Sequence, residues 1–166
     1  MITGFTDYRN LIIKALQKGY WGSLGDVANV IWHARKQKRI VLTCGNGGSA
    51  ATAIHFAADL RTLGVQAHDL LSPVKVTQIS NDHGFEYIFS DQAAVFERPL
   101  IIAFSCSGTS PNIVNVCRTF ESILFAGSAS SGSGNLCVRV LETDCEIIED
   151  IHLMMCHALK KMVENR

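Results

Sequence analysis

Twice in this chain an aliphatic strand-like run passes through a Gly/Ser-rich loop straight into a helical pattern. RIVLTC (residues 39–44) is followed by GNGGS and then by SAATAIHFAADLRTL. PLIIAF (99–104) is followed by SCSGTS and then by PNIVNVCRTF, with Pro111 placed where a first helical turn tolerates it. A strand that exits into a helix cannot pair with its successor as a hairpin. The next strand must return parallel, with the helix covering one face of the sheet. Two such units commit the chain to an α/β architecture, a three-layer αβα sandwich around a parallel sheet.

The remaining segments fit that frame. The first 38 residues read as helical, with DYRNLIIKALQK stopping at Gly19 and SLGDVANVIWHARKQK opening at Ser23 as N-cap. This N-terminal helical pair is expected to pack on the core or on other subunits. QAHDLL reads as a strand, and SPVKVTQISNDHGFEYIFSDQAAVF as a less regular stretch. A strand ILFAG, a loop SASSGSG, a strand NLCVRVL and a helix from about Glu146 to Glu164 complete the chain. No interdomain linker interrupts the 166 residues, so a single domain is expected.

Charge excludes some function classes. Lys+Arg and Asp+Glu both number 15, without the basic excess that a nucleic-acid surface requires. The one cationic cluster, Arg35 to Arg39, suits a solvated helix end. No apolar run reaches the length of a membrane span, and the first residues lack the pattern of a secretory signal, so a cytoplasmic protein with no membrane partner is expected. Six cysteines lie scattered without a CxxC pair and are expected to be reduced.

Both loops fall at the carboxyl edge of the sheet, where open α/β folds bind ligands. Helix N-termini there present unpaired N–H groups and partial positive charge, glycines let the backbone come close, and hydroxyls add donors. SCSGTS carries three serines and a threonine in six residues, a density suited to a phosphate's oxygens. Neither loop is a Walker or GxGxxG motif. A phosphate held without Lys or Arg also agrees with the neutral composition.

Acid–base candidates sit on two helices. His55 and Asp59, four residues apart, share a helical face within about 40°. On the terminal helix His157 lies within about 20° of both Glu146 and Asp150, with Glu149 about 80° away and His152 about 140° away. The wheel therefore groups His157 with the acidic helix start and leaves His152 to the core or the surface.

CGNGGSAATAIHFAADL and FSCSGTSPNIV together resemble the SIS (sugar isomerase) domain family, and HFAADL, SNDHGFEYIFS and the terminal IHLMMCHAL resemble its phosphoheptose isomerase branch. The resemblance implies a flavodoxin/Rossmann-like fold and isomerisation of sedoheptulose 7-phosphate through an enediolate, in a homotetramer whose neighbouring subunits complete each site. It implies that Asp59 and His157 are the acid–base pair. Asn46, Gly47, Gly48, Ser49, Asn81, Asp82 and Glu149 would contact the sugar, and Ser105, Cys106, Ser107 and Ser110 would cradle the phosphate. It further implies Zn²⁺ on His55, Asp59, Glu149 and His157, a donor set that zinc accepts.

The chain also departs from the pattern of the family it resembles. Asp59 stands in place of Glu, Glu149 in place of Gln, Cys106 in place of Thr and Leu63 in place of Arg, and the stretch from Cys117 to Cys137 is shorter. The departures leave open isomerisation of another phosphosugar. They also leave open a non-catalytic role of the kind seen in replication-initiator-associating SIS proteins.

Overall fold

The structure, a computed structural model, describes residues 4–18, 21, 23–128, 130 and 132–166. Helices α1 (Phe5–Lys18) and α2 (Ser23–Lys36) precede β1 (Val41–Gly45), α3 (Gly48–Thr62) and β2 (Ala67–Asp69). Then come α4 (Pro73–Asp82), a 3₁₀ turn at Phe85–Tyr87, α5 (Ser90–Ala93), β3 (Leu100–Ser105) and α6 (Pro111–Thr119). Strands β4 (Ser122–Ala126) and β5 (Leu136–Arg139) lead into α7 (Cys145–Glu164).

The five strands form one parallel sheet in the order β2-β1-β3-β4-β5. The winding of the sheet reverses at β1, with β2 on one side of it and β3 on the other, and the β1–β3 register pairs Gly45 with Phe104. The two Gly/Ser loops therefore emerge side by side at the switch point, the crevice where such sheets take ligands.

Alternation along the strands separates two apolar layers. Val41, Leu100, Ile102, Phe104, Ile123 and Phe125 pack with α1, α2, α3 and α7. Leu42, Cys44, Ile101, Ala103, Leu124 and Ala126 pack with α5 and α6. The sandwich expected from the sequence is thus present, and Ala15, Val27, Ala28 and Ile31 of the N-terminal helices are buried in its core. At the opposite edge Arg39 donates to the carbonyls of Arg98 (2.8 Å) and Pro99 (2.9 Å) and pairs with Glu121 (2.9 Å). This last residue of the cationic cluster therefore clamps strand starts instead of facing a partner.

Two sequence expectations change. The stretch 72–96 is regular, with Pro73 opening α4 and its aliphatic residues Val76 and Ile79 packed against the second layer. Pro at a helix start fixes φ without forfeiting a bond, a signal present in the sequence at SPVK. Ser23 begins α2 as its first helical residue. The expected stop at Gly19 lies outside the described residues.

His152 is fully buried against Phe104 and Phe125, with ring centroids 6.0 and 5.9 Å away. Neither ring nitrogen has a hydrogen-bond partner among the described residues. Burial lowers its pKa from 6.5 to about 4, so the folded protein holds the neutral ring at pH 7. The unfolded chain takes up that proton below about pH 6.5, whereas the folded chain resists until about pH 4. Stability present at neutral pH is therefore lost as pH falls through this window, by about 3 kcal/mol from this one group. Urea unfolding at pH 7 and pH 4.5 should show a smaller acid loss in His152→Leu than in the wild type.

Candidate functional site

The carboxyl edge is built by mutual ties between the two loops. Asn46 and Asn112 exchange amide hydrogen bonds of 3.1 and 2.9 Å, and Asn112 is fully buried. Asn112 also accepts from the Ile113 N–H, so one amide fixes the start of α6 and holds the first loop against the second. Sequence reasoning passed over Asn112. Its signal was the Pro-Asn pair at a helix start, where an Asx side chain can bond local backbone.

The second loop folds over its own hydroxyls. Ser105 Oγ accepts from the Gly108 N–H at 3.0 Å, and Ser107 Oγ accepts from the Thr109 N–H at 3.2 Å. Gly108 has a φ of +67°, which favours glycine, and any Cβ there would run into Ser130. Ser110 stands at the N-cap of α6 with no capping bond from its hydroxyl. Cys106 donates its thiol to the Cys145 carbonyl, 3.5 Å off, and burial, helped by the neighbouring Cys145 side chain, pushes the thiol up to about 12. It therefore keeps its proton at neutral pH. Within the phosphate set implied by the family, only its backbone remains at the loop.

The first loop already carries an anion of this chain. The Glu149 carboxylate accepts from the Ser49 N–H (2.9 Å) and Ser49 Oγ (3.3 Å) at the first turn of α3. A Cβ on Gly48 would strike the same carboxylate, so the missing side chain there makes the contact possible. Gly47 enters the helix with φ +55°. Helix N-termini favour such a negative group. Glu149 thus lies between the loops, away from the metal-type cluster described next.

That cluster forms where α3 and α7 run side by side in the same direction. His55 Nε2 lies 2.9 Å from His157 Nε2 and 3.4 Å from Asp59 Oδ2. One ligand-capable atom from each of the three residues lies within 4.8 Å of the others. Three of the four metal ligands expected from the family therefore converge, and Glu149 does not join them. Asp59 Oδ2 is buried with no hydrogen-bond partner among the described residues. An orphaned carboxylate oxygen facing two imidazole nitrogens fits a divalent cation, with further coordination positions open.

Lys160, not anticipated from sequence, binds the other oxygen of Asp59 at 2.6 Å. It lies three residues beyond His157 on α7, one turn along the same face.

Distance along the helices separates these features. At 1.5 Å per residue, His55 and Asp59 stand about 9 and 15 Å along α3 from Ser49. The acidic start of α7 is equally remote from His157, and Asp150 there accepts from Tyr8 Oη at 2.7 Å. The wheel's grouping of His157 with Glu146 and Asp150 is thereby corrected: they share a face but not a height. Asn81 and Asp82 end α4 exposed, with Asn81 donating to Asp82 at 2.9 Å. Arg61, near Leu63, donates to the Ala67 carbonyl at 3.0 Å and ties α3 to β2.

A sequence profile of the SIS domain matches residues 4–122. The chain is 31% identical to phosphoheptose isomerase 1 of Campylobacter jejuni over 160 residues, covering 86% of each chain. Its fold is similar to that of a phosphoheptose isomerase from Neisseria gonorrhoeae, with a TM-score of 0.86 at 23% identity over 97% of both chains. A phosphoheptose isomerase from Francisella tularensis is similar with a TM-score of 0.87 at 22% identity over 100% of both.

Ala outranks Gly in helices, so Gly48→Ala at the start of α3 would ordinarily be neutral or helpful. Here the Glu149 contact reverses the sign. Gly48→Ala should cost about 1–3 kcal/mol in urea unfolding, and little or nothing once Glu149→Ala has cleared the space.

Proposed function

The chain belongs to the SIS domain family, and we propose that within it the protein is a phosphosugar aldose–ketose isomerase acting on sedoheptulose 7-phosphate. The observation that carries the reading is the convergence of His55, Asp59 and His157 from helices about a hundred residues apart in sequence. Such a group offers what enediolate chemistry needs: a carboxylate, an imidazole and space for a Lewis acid.

In this reading Ser105, Ser107, Ser110 and the backbone of Cys106 hold the phosphate at the N-terminus of α6. Asn46 and Ser49 face the sugar together with Gly47, Gly48 and Glu149, and Asn81 and Asp82 close over it. Asp59 carries the carbon-bound proton from C1 of the ketose to C2. His157 moves the hydroxyl proton from O1 to O2, so the enediolate collapses to the aldose with no net gain or loss of atoms. A divalent cation such as Zn²⁺ on His55, Asp59 and His157 would supply electrophilic stabilisation of the developing oxyanion.

The roughly 9–15 Å between the loops and the cluster supports assembly, with the loops of one copy meeting the cluster of another in a homotetramer. Among the described residues no helix is long and apolar enough to cross a membrane. The Lys160–Asp59 ion pair favours a second reading, a non-catalytic SIS protein that binds a phosphosugar or serves assembly.

A coupled assay on sedoheptulose 7-phosphate separates the two. Asp59→Asn and His157→Ala should each lower kcat by at least about 100-fold while the fold survives, as judged by circular dichroism. Turnover unaffected by either change overturns the catalytic assignment. Absence of turnover in the wild type, with or without added Zn²⁺, favours the non-catalytic reading.

A further inference from the structure

The charge of the cluster is balanced by this chain's own residues. Asp59 is its sole carboxylate, and one oxygen is engaged by Lys160 at 2.6 Å. The two imidazoles meet nitrogen to nitrogen at 2.9 Å, a hydrogen bond that requires one of them to hold a proton there. A divalent cation needs both of those lone pairs and would take Asp59 through Oδ2, drawing on a negative charge that Lys160 already shares at Oδ1. With Lys160 in place the carboxylate's charge is already balanced, and an arriving cation meets an ammonium alongside its anionic ligand. The Asp59 side chain is only 13% exposed, so solvent screens this pair less than it would a surface one.

We propose that Lys160 is a built-in competitor for the divalent cation at Asp59, so that metal binds more tightly once the ammonium has left the carboxylate. Glu164 lines the same pocket four residues along α7, a spacing at which it can receive the displaced lysine. Lys161, also lining the pocket, makes no ion pair with Asp59 and so separates local competition from the general positive field. The inference rests on reading the His55, Asp59 and His157 cluster as a metal centre, and does not depend on which sugar is turned over.

The test is direct titration of the metal-free full-length protein with Zn²⁺ by calorimetry, and with Co²⁺ by visible absorption. Lys160→Met should tighten binding at least about ten-fold, the scale that one ammonium beside a partly buried carboxylate can supply. Lys161→Met should leave affinity within about two-fold, on the weak coupling expected of an exposed charge. His157→Ala placed on top of Lys160→Met should abolish the tight phase. Equal affinity in the wild type and Lys160→Met overturns the competition while leaving the metal centre standing. Equal tightening by Lys161→Met overturns it in favour of the general field. No binding by either the wild type or Lys160→Met overturns the metal centre and the competition together. Circular dichroism of each variant confirms that the affinities refer to folded protein.

Discussion

Everything distinctive about this molecule depends on α3 and α7 lying side by side and pointing the same way. One helix leaves the first strand of the sheet and the other ends the chain, yet Ser49 meets Glu149, His55 meets His157, and Asp59 meets Lys160. The apolar sides of both helices, including Phe56, Leu60, Ile151 and Leu159, enter the same core layer, which fixes the pair against the sheet. Burial of those residues sets the rotation of each helix, and rotation decides which polar groups face one another. The chemistry is therefore a by-product of packing, made of the residues left at the seam.

That seam has two unlike ends. At the carboxyl edge of the sheet the helix start is answered by the Glu149 carboxylate, while the adjoining loop keeps its hydroxyls and backbone donors. Farther along, two imidazoles and Asp59 gather around an orphaned oxygen, with Lys160 as counter-charge. Asp59 and Glu149, two of the residues that set this sequence apart from the pattern it resembles, lie on this seam. Glu149 becomes a cap for α3, and Asp59 is held by a lysine. The loops also support each other, since the Asn46–Asn112 amide pair ties one to the other.

The strand–loop–helix repeat made the fold legible. Strand periodicity, Pro111 and the glycines located both loops, and the five-stranded parallel sheet follows from them with few alternatives. The segment from Pro73 to Ala93 was less legible, because its helices are short and only partly amphipathic, and they owe their regularity to packing on the second layer. In the candidate site, His55 with Asp59 was readable from i,i+4 spacing. The partnership of Asp59 with Lys160 was not, because a lysine near the end of a helix ordinarily reads as a solvated charge complementing the dipole.

The sequence by itself determined the class of fold, the edge of the sheet that holds the loops, and the faces of α3 and α7 that carry ionisable groups. These are local properties, set by 2.0- and 3.6-residue periods and by the backbone demands of Gly and Pro. Only the tertiary structure decided heights and partners. A helical wheel discards translation along the axis, so it groups His157 with Glu146 and Asp150, residues about 16 and 10 Å away along α7. The relative slide of two helices is set by interlocking side chains contributed from distant parts of the chain. That slide placed Glu149 on Ser49 and Lys160 on Asp59.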